Sequence, residues 1–169
     1  MKNILKTVVL LLCLLLTPKE LQGSAMFPTE EARVLAGLVC GECKGCSREE
    51  RRAVIHVPLN RANSPGWWGH DLMEIMTKPK QFAHYDVPMC RWNLPRRSDG
   101  LEWSPGMVYL HNKILLEIRE DVLKALEGRS KDLSGGSTYF HARRLGNIWN
   151  HLQEVSVPHH WHHRFFQGD

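Results

Sequence analysis

Apolar residues at helical spacing mark the first helix of this 169-residue chain. Thr29 is a favourable N-cap, and Glu30 and Glu31 follow in the first turn, where the helix dipole favours acidic side chains. An apolar stripe from Val34 to Val39 predicts one buried face. We expect Gly41 to end the helix, because glycine readily adopts the left-handed conformation common at helix ends.

A second helix is predicted to open with a capping box, in which Ser47 and Glu50 satisfy each other's free backbone donors. Pro58 should kink or end this helix, because proline lacks the N–H group that a helix interior needs. The segments Asn60-Arg61 and Asn63–Gly66 then indicate a turn.

Two more helices and three short strands are predicted in the rest of the chain. A short helix covers Asp71–Thr77, and a long one begins behind Ser104-Pro105 and runs to Gly128. The strands are expected within Ser137–His141, Val155–Val157 and His163–Phe166. The pattern predicts an α+β fold, a mainly helical domain with a small β element near its C-terminus.

The N-terminal segment has the layout of a secretory signal peptide. Lys2 and Lys6 precede an uninterrupted apolar run from Val8 to Leu16, and small residues follow. This run is shorter than the roughly 20 residues that a membrane-spanning helix needs. We therefore expect residues 1–25 to be removed on export, with a retained N-terminal anchor as the alternative, and residues 26–169 to form one domain. The protein would act in the periplasm, the cell wall or outside the cell.

The charge balance excludes some classes of partner. The whole chain carries 22 basic and 18 acidic residues, and removal of residues 1–25 takes away three basic residues and one acidic residue. The remaining charge of +2 does not favour nucleic acid, and no basic stripe with interleaved aromatic residues occurs. A weakly anionic partner such as a bacterial wall remains compatible. We expect a monomer that meets the membrane only through an uncleaved N-terminal segment.

Four cysteines remain after residue 25, namely Cys40, Cys43, Cys46 and Cys90. An even number in an exported chain favours two disulfides, for which three pairings exist. The alternative is a metal site, because C-x2-C-x2-C with one distant cysteine supplies four thiolates. Export to an oxidising compartment favours disulfides, so we expect no metal and no cofactor.

Glu42 lies among these cysteines, directly behind the apolar helix. Burial there would make its charged form costly, which is the setting of a catalytic acid. A solvated glutamate in a turn is the simpler interpretation. The stretch alone does not decide between the two.

Histidines near the C-terminus support a rival hypothesis. His159, His160, His162 and His163 surround Trp161, and imidazoles in such numbers suit zinc or another transition metal. The spacing of helix-borne zinc hydrolases does not occur in the sequence. A zinc-dependent wall amidase is the enzymatic alternative, and an exported, non-catalytic wall-binding protein is the other.

Several short motifs are more informative as an ordered set than singly. They are Glu31-Ala32-Arg33, Gly41-Glu42, Leu59-Asn60-Arg61, Ser64-Pro65, Gln81-Phe82, Gly135–His141, Trp149 and His163–Phe166. Together they resemble the cell wall hydrolase family of the SleB and CwlJ type, which contains spore cortex-lytic enzymes. The chain departs from that family at Cys43, where alanine is usual, and at His56 and Pro58, in an otherwise smooth apolar helix.

The resemblance implies a lysozyme-like domain that acts on the glycan strand of peptidoglycan. The family's catalytic acid falls on Glu42. Members that act as lytic transglycosylases cleave between N-acetylmuramic acid and N-acetylglucosamine and leave a 1,6-anhydro product. Gln81, Phe82, Tyr139, His141 and His163 lie in the matching motifs and are the candidate substrate-binding residues. The alternative is a structural hydrogen-bonding role for Gln81, Tyr139 and His141, and for His163 the anchoring of the terminal strand.

Glycoside cleavage needs an acid for the leaving oxygen and a group that completes attack at the anomeric carbon. Asp71, Glu74 and Asp86 could supply a second carboxylate, but none lies in a family motif. With Glu42 alone, the 6-hydroxyl of the sugar would be the nucleophile. Tryptophans at 67, 68, 92 and 103 could stack on sugar rings or belong to the core.

Overall fold

The computed structural model describes residues 26–64, 66–82, 102, 104–146, 148–159 and 162–168. The predicted signal peptide lies outside the described residues. The same holds for Asp86, Cys90, Trp92, Trp103, His160 and Trp161. What the sequence suggests for these positions stays a prediction.

The structure has four helices and a small sheet in the part of the chain that it describes. The helices are α1 (Glu30–Cys43), α2 (Arg48–Ala62), α3 (Leu72–Thr77) and α4 (Pro105–Leu126). The strands are β1 (Tyr139–Ala142), β2 (Gln153–Val155) and β3 (His163–Gln167), and they form one antiparallel sheet in the order β1-β3-β2. A 3-10 turn, Arg143–Leu145, follows β1. The predicted α+β class, mainly helical with a C-terminal β element, is confirmed.

The three predicted N-caps, Thr29, Ser47 and Ser104, are confirmed, and Asp71, which is predicted inside the third helix, is its N-cap. The side-chain oxygens of all four residues accept hydrogen bonds from backbone N–H groups three residues further on. Each cap satisfies a donor that the first helical turn leaves without an intrahelical partner. The cap residues therefore define where the helices begin, as the sequence indicated.

The predicted end of α1 at Gly41 is wrong, because the helix continues to Cys43. Gly41 takes part in the helix, and the chain turns only afterwards, where the Cys46 N–H donates to the Cys43 carbonyl at 3.0 Å. A disulfide between Cys43 and Cys46 closes the same turn. As a result, Glu42 lies in the last turn of the helix and not in a loop.

The predicted break at Pro58 and the turn at Asn60-Arg61 are also wrong, because α2 runs through Pro58 to Ala62. Side chains beyond the proline are held by other parts of the fold. The Asn60 amide donates to the Ser137 carbonyl at 3.1 Å, and the Arg61 Nε donates to the Thr138 carbonyl at 2.7 Å. These contacts offset the hydrogen bond that proline cannot donate. Only one half of the predicted capping box forms, in which the Ser47 hydroxyl accepts from the Glu50 N–H. The Glu50 carboxylate binds β3 instead of the Ser47 N–H.

The core lies between the helices and one face of the sheet. Helix α1 packs on α2, α3 and α4, and α2 also contacts β1. The fully buried side chains of the core include Leu35, Val39, Ile55, Ile75, Ile118 and Phe165.

Strand β2 lies two residues earlier than predicted, at Gln153–Val155. Among the described helices, none is long and apolar enough to span a membrane.

Candidate active site

One cleft brings Glu42 together with all five residues for which the sequence predicted substrate contacts. The cleft has a volume of about 550 Å³ and opens between the end of α1, the segment after α3 and strand β1. Its lining includes Glu42, Gln81, Phe82, Tyr139, His141 and His163. A second cavity of about 510 Å³ adjoins it, and Glu42 and His163 line both.

Glu42 is half-buried at the C-terminal end of α1. Among the described residues that line the cleft, it is the one with a carboxyl group. Two of the three alternative acids have other roles, and Asp86 lies outside the described residues. Asp71 caps α3 by accepting from the Glu74 N–H at 2.8 Å, and the Glu74 carboxylate accepts from the His70 N–H at 2.9 Å. The geometry therefore offers one acid, and no second carboxylate from the described wall.

Arg61 is a site residue that the sequence signalled only as half of an Asn-Arg pair. Its buried guanidinium donates to the Gln81 side-chain oxygen and to the Thr138 carbonyl, each at 2.7 Å. It also lies 5.0 Å from the ring centre of Phe82 and 5.7 Å from that of Tyr139. Burial lowers the pKa of Arg61 to about 10, so the group stays charged at neutral pH. One cation thus positions three of the predicted substrate residues.

Gln81 is held at both ends of its amide. Its oxygen accepts from Arg61, and its Nε2 donates to the Trp68 carbonyl at 2.9 Å. The preceding residue, Lys80, also lines the cleft and has a positive φ of 68°, a conformation uncommon for residues other than glycine. Gln81 therefore supports the wall of the cleft through an orientation fixed by the protein.

His141 presents an unpartnered ring nitrogen in a buried position. Its ring stacks on Phe166, with centres 5.1 Å apart, and meets the edge of Trp149 at 5.0 Å. The Nδ1–H donates to the Ala142 carbonyl at 2.9 Å, which leaves Nε2 as an acceptor. No described group donates to this Nε2 atom.

The tryptophans divide between the core and the cleft. Trp68 is 1% exposed, and its indole N–H donates to the Arg61 carbonyl at 2.9 Å, so it belongs to the core. Trp67 is 64% exposed and lines the cleft together with Trp149. Trp149 meets Tyr139 edge to face, with ring centres 5.4 Å apart. These two exposed or partly exposed indoles are the described surfaces for stacking on a sugar ring.

Behind Glu42, a fully buried carboxylate holds the start of β3. The Glu50 Oε1 accepts from the His163 N–H at 2.8 Å, from the His163 Nδ1–H at 2.9 Å and from the His162 N–H at 3.0 Å. The sequence does not indicate this role, because the partners of Glu50 lie more than 100 positions away. Glu50 fixes His163, which lines the cleft.

Two of the predicted cysteines form a disulfide that joins Cys43 to Cys46 across the turn after α1. Cys40 is also disulfide-bonded, while Cys90 lies outside the described residues. Among the described side chains, the group able to hold a metal is Cys43, Cys46, Glu50 and His163. Of the described terminal histidines, His163 belongs to this group, whereas His159 and His162 are exposed and lie outside it.

The model of the Cell Wall Hydrolase family matches residues 45–166, which is most of the chain. The chain belongs to this family. The matched range of this cell wall hydrolase includes Arg61, Gln81, Tyr139, His141 and His163, and Glu42 lies just before it.

Family membership supports a peptidoglycan-degrading role for the cell wall hydrolase, in a family that is typically extracytoplasmic. A search of curated proteins found no match to the chain, and neither did a search of solved structures.

Proposed function

We propose that this cell wall hydrolase cleaves the glycan strand of peptidoglycan between N-acetylmuramic acid and N-acetylglucosamine, as a lytic transglycosylase with Glu42 as its acid. The observation that carries this proposal is the position of Glu42 in one cleft with Gln81, Phe82, Tyr139, His141 and His163. The family match supports the substrate. The resemblance of the Gly41-Glu42 motif to the catalytic motif of the family supports the choice of Glu42 as the acid.

The cleft suits a sugar chain in size and chemistry. A volume of about 550 Å³ lies within the range of about 300–1,000 Å³ that small-molecule sites occupy. Trp67 and Trp149 offer flat apolar surfaces, and Gln81, whose amide is held at both ends, adds a fixed polar group to the wall. An aromatic platform with a few fixed polar groups is the composition expected for a carbohydrate site.

A single acid is sufficient for the proposed reaction. Glu42 donates its proton to the glycosidic oxygen as the bond to the anomeric carbon breaks. The resulting carboxylate then takes the proton of the 6-hydroxyl, whose oxygen attacks the same anomeric carbon. The 1,6-anhydro ring closes and Glu42 regains its proton. The reaction therefore needs no second carboxylate and consumes no water.

Replacement of the acid tests the proposal. We expect Glu42→Gln to lower the rate of muropeptide release by a factor of at least about 100, because general acid–base catalysis contributes about 10²–10⁴-fold. Glu31→Gln is the matched control, since Glu31 is exposed in the first turn of the same helix. The rates are measured on purified peptidoglycan, with circular dichroism to verify that both variants are folded. Wild-type release by folded Glu42→Gln would contradict the proposal.

Mass spectrometry of the products tests the reaction type. Anhydro-muropeptides support the transglycosylase. Reducing muramic ends would instead indicate that water is the nucleophile, and freed stem peptides would indicate an amidase. An intact glycan with bound protein would indicate a non-catalytic wall-binding role.

A further inference from the structure

Four side chains of metal-ligand type meet at one buried point behind the cleft. Cys43, Cys46, Glu50 and His163 are all buried, and their ligand atoms lie within 4.8 Å of one another. The His163 Nδ1 is 3.7 Å from the Cys43 sulfur, 3.9 Å from the Cys46 sulfur and 2.9 Å from the Glu50 Oε1. They come from the end of α1, the following turn, α2 and β3.

A disulfide alone does not require this surrounding. Its two sulfurs are weak acceptors and gain little from an imidazole. Glu50 is 0% exposed, and the three hydrogen bonds that its Oε1 accepts from His162 and His163 satisfy a carboxylate that would otherwise be costly to bury. These bonds hold the carboxylate and the imidazole beside the two sulfurs. Once the disulfide is reduced, two thiols, one imidazole and one carboxylate around one point are a donor set suited to zinc.

We propose that Cys43, Cys46, Glu50 and His163 form a zinc site when the two cysteines are reduced, and that the disulfide is the oxidised state of the same site. The C-x2-C spacing places both thiolates in one turn, as in structural zinc sites. Ligand atoms of tetrahedral zinc lie about 3.5 Å apart, given Zn–N and Zn–S bonds of about 2.0 and 2.3 Å. The two distances from nitrogen to sulfur, 3.7 and 3.9 Å, are close to this value, and reduction would let the two bonded sulfurs separate to bind the metal.

The interconversion balances with a dithiol as reductant. The dithiol gives two electrons and two protons to the Cys43–Cys46 bond and becomes a disulfide itself. Zn²⁺ then displaces the two thiol protons. The His163 Nδ1 binds through its lone pair, with the ring proton on Nε2, and Glu50 binds through a carboxylate oxygen.

Cobalt is the probe for this site, because Co²⁺ takes up zinc positions and gives a charge-transfer band only when thiolates bind it. The protein is first reduced and transferred to a buffer that contains neither metal nor dithiol. It is then titrated with CoCl₂ under nitrogen. We expect one Co²⁺ per chain with a thiolate band that ZnCl₂ abolishes, and no band for the oxidised protein. Absence of the band in the reduced protein would overturn the proposal.

Variants identify the ligands. Cys46→Ser should lose the band, and Glu50→Gln, which keeps an acceptor oxygen, should weaken cobalt binding at least about tenfold. Cys40→Ser is the matched control and should keep the band, because Cys40 does not belong to the cluster. A band that survives Cys46→Ser, or disappears in Cys40→Ser, would place the metal on other thiols and refute the assignment. Binding by the exposed His159 or His162 gives no thiolate band.

Discussion

Arg61 shows how much of the site depends on one side chain. Its guanidinium holds the Gln81 amide and the Thr138 carbonyl and lies against two aromatic rings of the cleft. A forked, planar cation can do this, whereas a single ammonium group cannot reach both oxygens in the same geometry. The sequence marks this arginine only through a two-residue motif, since its burial depends on residues about 20 and 77 positions away.

We therefore expect Arg61→Lys to be a strongly destabilising substitution in spite of its equal charge. Loss of the two directed hydrogen bonds should lower the free energy of unfolding by about 1.5–3 kcal/mol, because bonds to charged groups contribute about that much. Urea denaturation at equilibrium measures the change. Arg52→Lys on the same helix is the control and should stay within about 0.5 kcal/mol of the wild type. Equal midpoints for both variants would show that the fork contributes nothing.

At the scale of the elements, the sequence predicts where helices begin better than where they end. N-caps are local, because one side chain satisfies a backbone group three residues away. The end of α2 depends on distant contacts, because the helix passes Pro58 to two side chains anchored on the segment at 132–138. Local propensity is overridden there by tertiary structure. Helix α1 instead passes Gly41 to a local turn, which a disulfide between residues three positions apart closes.

Asn60 carries the second of these anchors. Its Nδ2 lies within 3.1 Å of the Asp132 carboxylate, the Ser134 hydroxyl and the Ser137 carbonyl. Asn60→Ala should cost about 1–3 kcal/mol of unfolding free energy, because the acceptors lose a partly buried donor. Asn63→Ala, at the exposed C-cap of the same helix, should change little, since its cap bonds come from the backbone. Thermal unfolding by calorimetry compares the two, and equal losses would argue against the anchor.

For the whole molecule, the hydrophobic pattern predicts the fold class and the order of elements, and the family resemblance predicts which residues share the cleft. Neither reveals Glu50. Its position three residues after Ser47 suggested a cap, while its carboxylate instead binds β3, more than 100 residues away. Contacts of that range arise only when the helices and the sheet have packed together.

The pH dependence of stability is a property of the whole molecule to which His56 contributes. Burial lowers the pKa of His56 below 6.5, Asp132 opposes the shift and Arg52 adds to it. The unfolded chain therefore binds this proton more readily than the folded protein, and stability is lost as the pH falls from 6.5 toward the folded pKa. We expect the melting temperature of His56→Gln to change less with pH over this range than that of the wild type. His151→Gln, at an exposed position, should keep the wild-type slope, and an unchanged slope in His56→Gln would contradict the assignment.

The positive φ of Lys80 has a consequence for ligand recognition. A left-handed backbone at a residue other than glycine costs about 1–3 kcal/mol, and it persists where neighbouring contacts over-determine it. Here the adjoining Gln81 is fixed by Arg61 and by the Trp68 carbonyl. The free-energy cost of this backbone conformation is therefore met during folding and not when a ligand binds. A ligand in the cleft would then meet a wall whose shape Arg61 and the Trp68 carbonyl already hold, so no entropy of ordering Gln81 would be subtracted from its binding free energy.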